Sequence, residues 1–168
     1  MVRPLKRAPG GYTHLLVAVD MFTKWIEARP ISVIKSEQAM LFFLDIVHRF
    51  EVPNSIITDN DTQFTGKKFL RFCDEYHIRV DWAAMAHPRT NRQVECTNGM
   101  VLQGLNPRIF NQLNKFGRRW VAELSMVLWS LRTTPSRATG YTCILHGPRF
   151  RVYPPDQPQL WSAEGQGV

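Results

Sequence analysis

Apolar residues along this chain come in short blocks separated by polar turns. Leu15-Leu16-Val17-Ala18-Val19 is an unbroken apolar run inside Tyr12 to Asp20. That pattern suits a strand buried on both faces. It follows Pro9-Gly10-Gly11, a turn signal. Phe22 to Arg29 predicts a hairpin partner for it, ended by Pro30. Ser36 is placed to cap a helix running to about Phe50, with Met40, Phe43, Leu44, Val47 and Phe50 along one face. Beyond Pro53, Ser55-Ile56-Ile57-Thr58 predicts a short buried strand. Thr65 to His77 predicts an amphipathic helix with Phe69, Phe72 and Tyr76 inward. Ile78 to Ala83 predicts another strand, and Arg89 to about Leu105 a loop followed by a helix. Trp120, Leu124, Val127, Leu128 and Leu131 then stripe a last helix.

Strands alternating with helices in this order predict an α/β layer fold, a mixed central sheet flanked by helices. After Gly147 the chain turns proline-rich and loses apolar periodicity. The expected division is a folded core over residues 1–145 and an irregular tail over 146–168.

Composition narrows the classes without naming one. The 168 residues are 44% hydrophobic and 21% charged, which fits a globular domain large enough to bury a core. No apolar run approaches the roughly 18 residues that span a bilayer, so no membrane partner is expected. Arg3, Lys6 and Arg7 lead into a turn, unlike a signal peptide. Three scattered cysteines, Cys73, Cys96 and Cys143, argue against a disulfide framework or a zinc site and favour an intracellular protein. The net charge of +7 favours a polyanionic partner.

Candidate chemistry sits on two acidic residues. Asp59 ends the short strand after Pro53, a common position for functional groups in α/β sheets. Glu95 opens the helix after the polar loop Pro88 to Gln93, and 35 residues separate the two. Phosphodiester chemistry with divalent ions needs carboxylates held close together, and hard cations prefer carboxylate and water ligands. Each residue also has a plainer explanation. An Asp after a strand often serves a turn, and a Glu in a first helical turn is favoured by the dipole.

The flanking residues weigh against the plainer explanations. Ile56 to Phe64 (IITDNDTQF) resembles the strand carrying the second catalytic Asp of retroviral and long-terminal-repeat retrotransposon integrases. His87 to Glu95 (HPRTNRQVE) resembles the segment carrying their catalytic Glu, and the spacing of 35 matches that family. Leu15 to Ala28 (LLVAVDMFTKWIEA), Trp129 to Arg132 and Thr139 to Thr142 agree as well, over roughly Val2 to Thr142. The sequence looks most like the Ty3/Gypsy type. The resemblance implies a ribonuclease H-like fold, Mg²⁺ or Mn²⁺ as cofactor, and DNA as partner, both retroelement ends and target. It further implies 3′-end trimming by water, strand transfer by the freed 3′-hydroxyl, a nuclear location, and room for a homo-oligomer. Asp59 and Glu95 would be catalytic metal ligands, with Asn91 and Gln93 in the loop beside them.

Several positions depart from the family pattern. Its first catalytic Asp lies in a segment matched here by Met1 to Leu5, so that residue would fall one position before Met1. The first strand is therefore expected to be truncated, and Asp20, near it on the next strand, is a candidate substitute. Asp61 and Arg92 stand where the family usually has Gly, and the stretch after Thr142 does not match. Lys67, Lys68 and Arg71, on one side of their helix, and Arg89 and Arg92, beside Glu95, are candidates for phosphate contacts. A solvated helix face accounts for the first three equally well. Trp25, Trp82, Trp120 and Trp129 are expected in the core. Three readings compete: an active polynucleotidyl transferase, a catalytically inactive fragment that binds DNA or dimerises, and a degenerate transposon relic with no selected role.

Overall fold

The computed structural model describes residues 5–82, 119–135, 142 and, as backbone only, 160–167. Its elements are β1 (His14–Asp20), β2 (Ile26–Ile31), α1 (Ser36–Phe50), β3 (Ser55–Thr58), α2 (Thr62–Thr65), α3 (Lys67–Glu75), β4 (Arg79–Trp82), α4 (Trp120–Thr133) and β5 (Leu160–Gly167). The strands form one mixed sheet in the order β2-β1-β5-β3-β4. β1 is antiparallel to β2 and β5, whereas β3 is parallel to β4 and β5. This is the α/β arrangement expected from the sequence, with one strand where none was expected.

The sheet separates two apolar layers. Leu16, Ala18 and Ile56 pack with Ala39, Phe42, Phe43 and Ile46 of α1 and with Phe69 and Phe72 of α3. On the other side Leu15, Val17 and Ile26 meet Trp120, Leu124, Val127 and Leu128 of α4. Alternate residues of β1 thus enter opposite layers, the physical reason its run is apolar throughout. Trp120 is fully buried, and its indole N–H donates to the Lys6 carbonyl at 2.9 Å. The stripe foreseen for α4 is therefore the one that docks, with Leu131 half-buried at its end.

Several boundaries differ from expectation. Pro30 does not end β2, which continues to Ile31 with Pro30 opposite Leu15. β2 is an edge strand, where a residue lacking an N–H is tolerated. The hairpin turn is longer than foreseen, because Asp20 gathers Met21 to Trp25 into a tight loop before β2 starts. Ser36 is the first residue of α1 rather than its cap; Lys35 holds the cap position with no side-chain bond. The buried stripe of α1 centres on Ala39, Phe42, Phe43, Ile46 and Val47, leaving Met40, Leu44 and Phe50 on its flank. The helix foreseen over Thr65 to His77 is shorter, Lys67–Glu75, and a separate helical turn, Thr62–Thr65, precedes it across Gly66 (φ −70°, ψ 143°). A Cβ on Gly66 would lie 2.4 Å from the Ser36 Cβ, so close approach of α1, not backbone conformation, calls for glycine there. Trp129 is 61% exposed and does not belong to the core.

The tail required the largest correction. Leu160–Gly167 is not irregular: it forms a central strand between β1 and β3. That is the place, antiparallel to β1, expected of the family's first strand. Both neighbours offer unpaired backbone groups there, and main-chain bonding recruits a segment whose side-chain pattern does not announce a strand.

Candidate metal and nucleic-acid site

Asp59 sits where sequence reasoning put it, one residue past the parallel strand β3. Its carboxylate is half-buried, and one oxygen accepts the Asp61 N–H at 3.3 Å. Burial, reinforced by the negative charge of Asp61, pushes its pKa up to about 6. No basic side chain is paired with it among the described residues. A half-buried carboxylate next to a second one is short of positive charge, and a divalent cation would supply it. The donor set thus fits a hard metal ion.

Asp61 holds the N-cap position of α2 with φ −63°, so the departure from glycine needs no left-handed backbone. Its side chain accepts from the Gln63 amide at 3.2 Å, and its carbonyl receives the Phe64 and Thr65 N–H groups. What Asp61 adds at this position is charge, not strain.

Asp20 is excluded as a partner of Asp59. Its Oδ1 accepts the Phe22 N–H, while Oδ2 accepts both the N–H and the hydroxyl of Thr23. It is 4% exposed and saturated by its own turn. Register also separates the two. Asp20 lies opposite Trp161, whereas Thr58, just before Asp59, lies opposite Ala163. With two strand spacings between them, that offset amounts to roughly 14 Å.

Lys67, Lys68 and Arg71 are exposed on α3 as foreseen, but they do not form a free row of cations. Lys68 pairs with Glu37 of α1 at 3.0 Å, and Arg71 with Glu75 at 2.9 Å. Such exposed pairs hold weakly and can yield to phosphate. Glu95, Arg89, Asn91, Arg92 and Gln93 lie outside the described residues.

Sequence reasoning missed a buried ionic cluster behind the hairpin. Glu27 accepts from the Trp25 indole (2.7 Å), from Arg49 of α1 (3.2 and 3.0 Å) and from Arg132 of α4 (3.0 Å). Arg132 also donates to the Ile26 carbonyl and stacks on Trp25 with 4.2 Å to the ring centre. The stretches Leu15 to Ala28 and Trp129 to Arg132 meet here, and the cluster ties β2 to the helices of both layers. Cys73 is buried and its thiol is pushed up to about 12 by burial, which leaves it unreactive at neutral pH.

Comparison with known proteins agrees with this geometry. The family described as integrase core domain matches residues 3–88. The Gag-Pol polyprotein of avian reticuloendotheliosis virus is 32% identical over 131 residues, covering 77% of this chain and 11% of that protein. The Tf2-3 transposon polyprotein of Schizosaccharomyces pombe is 30% identical over 134 residues, covering 79% and 10%. The chain thus spans about a tenth of the length of these relatives. Among solved structures, a chain of the simian T-cell lymphotropic virus intasome superposes with a TM-score of 0.71 at 23% identity, covering 94% of this chain and 63% of that one. The HTLV-2 integrase catalytic core in complex with magnesium, in its dimeric form, gives 0.63 at 25% identity, covering 79% and 83%. With the motif around Asp59 at the end of β3 in a ribonuclease H-like sheet, the chain belongs to the integrase core domain family of retroviral and retrotransposon polyproteins.

Proposed function

We propose that this chain is the DNA-processing core of a retrotransposon integrase, working with Mg²⁺ or Mn²⁺ on retroelement ends and target DNA in the nucleus. The observation that carries the reading is Asp59, a half-buried carboxylate without a basic partner among the described residues, in the family's metal-ligand motif at the end of β3. Asp59 and Glu95 would hold the ion. Divalent ions held there would supply Lewis-acid chemistry, one toward the attacking oxygen and a second toward the leaving one. The burial that raises the Asp59 pKa also strengthens its attraction for a divalent cation. Lys67, Lys68 and Arg71, together with Arg89, Asn91, Arg92 and Gln93, would position the duplex through its phosphates, which carries no sequence information. Assembly into a homo-oligomer fits this reading, since the HTLV-2 core was solved in dimeric and trimeric forms.

The test is Mg²⁺-dependent end trimming and strand transfer on a duplex oligonucleotide, with Asp59→Asn and Glu95→Gln as controls. Activity in the parent and none in either variant is expected; parent activity no greater than that of Glu95→Gln overturns the catalytic reading. One observation favours a second reading. Asp61 places a charge beside Asp59 where the family usually has Gly, which suits a chain that binds DNA without cutting it. That chain would show salt-sensitive duplex binding with little sequence preference and no cleavage.

A further inference from the structure

The turn that follows Asp59 is tied to the protein interior by a buried amide. Gln63 of α2 is 2% exposed, whereas Asp61, two residues before it, is exposed. A side-chain amide is costly to bury unless it is hydrogen-bonded, so its partner matters. Gln63 Nε2 donates to Asp61 Oδ2 at 3.2 Å. The backbone of Asp61 is fixed separately. Its carbonyl accepts the Phe64 and Thr65 N–H groups at 2.9 and 3.1 Å, and its own N–H donates to Asp59 Oδ1 at 3.3 Å. What remains to be fixed in Asp61 is the side chain, since an exposed aspartate samples several rotamers unless something holds it. The Gln63 amide is a neutral donor, so it restrains the Asp61 carboxylate without cancelling its charge. A second negative charge is thereby kept beside Asp59, whose own carboxylate has no basic partner among the described residues.

We infer that Gln63 is a positioning residue: it pins the Asp61 carboxylate beside Asp59, and the pinned charge tightens the hold of Asp59 on a divalent cation. The inference rests on the metal-dependent reading above and adds to it a residue that acts through Asp61. Attraction falls with distance, so a carboxylate held near the cation helps more than one that swings into water. Partners that orient the groups around a metal ion contribute to affinity without touching it. The aspartate that stands where the family usually has glycine is thus put to use by a buried neighbour.

The experiment measures metal binding rather than turnover. Mn²⁺ binding to the full chain is followed by electron paramagnetic resonance for the parent, Asp59→Asn, Gln63→Met, Asp61→Gly and the Asp61→Gly/Gln63→Met double variant. Circular dichroism establishes that each is folded. Gln63→Met keeps an unbranched side chain and removes the donor. It should weaken Mn²⁺ about tenfold, the scale of loss when a supporting partner of a metal site is removed. With glycine at position 61 the same change should alter binding less than about twofold, because the residue it acts through is gone. A purely structural role for Gln63 would cost the same in both backgrounds. In the unmutated chain, Mg²⁺ should shift the Gln63 side-chain NH₂ and Asp61 backbone amide NMR signals with one midpoint, and this decides the matter should Gln63→Met not fold. If Asp59→Asn weakens binding while Gln63→Met matches the parent, or loses the same factor in both backgrounds, the inference is overturned and the metal reading stands. A Gln63 NH₂ signal that stays still while the Asp61 amide moves overturns it as well. If Asp59→Asn binds Mn²⁺ as the parent does, the metal reading itself fails.

Discussion

Neutralising Glu27 tests whether the buried ionic cluster holds the two helical layers to the sheet. The Glu27 side chain is 8% exposed, that of Arg132 19% and that of Arg49 37%. Glu27→Gln keeps the shape and removes the charge that two guanidiniums face. Removing one member of a buried pair costs about 3–5 kcal/mol, because the remaining charge stays desolvated. Two features soften the loss: Arg49 keeps its 2.9 Å pair with Asp45, and Arg132 keeps the Ile26 carbonyl. About 3 kcal/mol is therefore expected, and for a chain of this size that lowers Tm by roughly 6–12 °C. Thermal unfolding at pH 7, followed by circular dichroism, measures it. Glu75→Gln serves as the control, because the Arg71–Glu75 pair is 82% and 57% exposed and should be worth no more than about 0.5 kcal/mol. A Glu27→Gln variant within about 1 kcal/mol of the parent would refute the reasoning and make the cluster a surface-like arrangement.

Three further outcomes follow from the same structure. Asp59 has a folded pKa of about 6 against an ordinary value of 3.8, so folding favours its protonated form. That contribution is present below about pH 4 and disappears as the pH rises through 6. Asp59→Asn should thus stabilise the metal-free protein at pH 8 by about 1 kcal/mol, after allowing for solvent screening of a half-buried group, and leave it unchanged at pH 3.5 in paired denaturant titrations. Gly66→Ala forces a Cβ against Ser36 and should cost about 1–3 kcal/mol in urea unfolding, with Ser36→Gly restoring part of the loss. Removing residues 160–168 uncovers the facing edges of β1 and β3, and light scattering should detect aggregation on concentration.

Much of the fold was legible along the chain because its signals are local. The apolar run of β1, the stripe of α4 and the strand delivering Asp59 depend on periodicity, and burial followed it. The motif around Asp59 and its flanks were enough to place the chain in its family. Other features depend on what comes near a residue in space. The need for glycine at position 66 comes from the approach of Ser36 of α1, a residue distant in sequence that nothing in the local pattern connects to it. Asp20 looked like a spare ligand until its turn was seen to use both oxygens. Lys68 and Arg71 looked free until Glu37 and Glu75 were placed beside them. Above all, Leu160–Gly167 has two glycines and no apolar alternation, so no sequence rule makes it a strand. Its conformation comes from two strand edges that exist only after β1 and β3 have taken their places. By itself the sequence determined the layers, the motif and the family. The tertiary structure alone decided which distant segments complete the sheet, because backbone pairing is set by neighbours and not by the residues that pair.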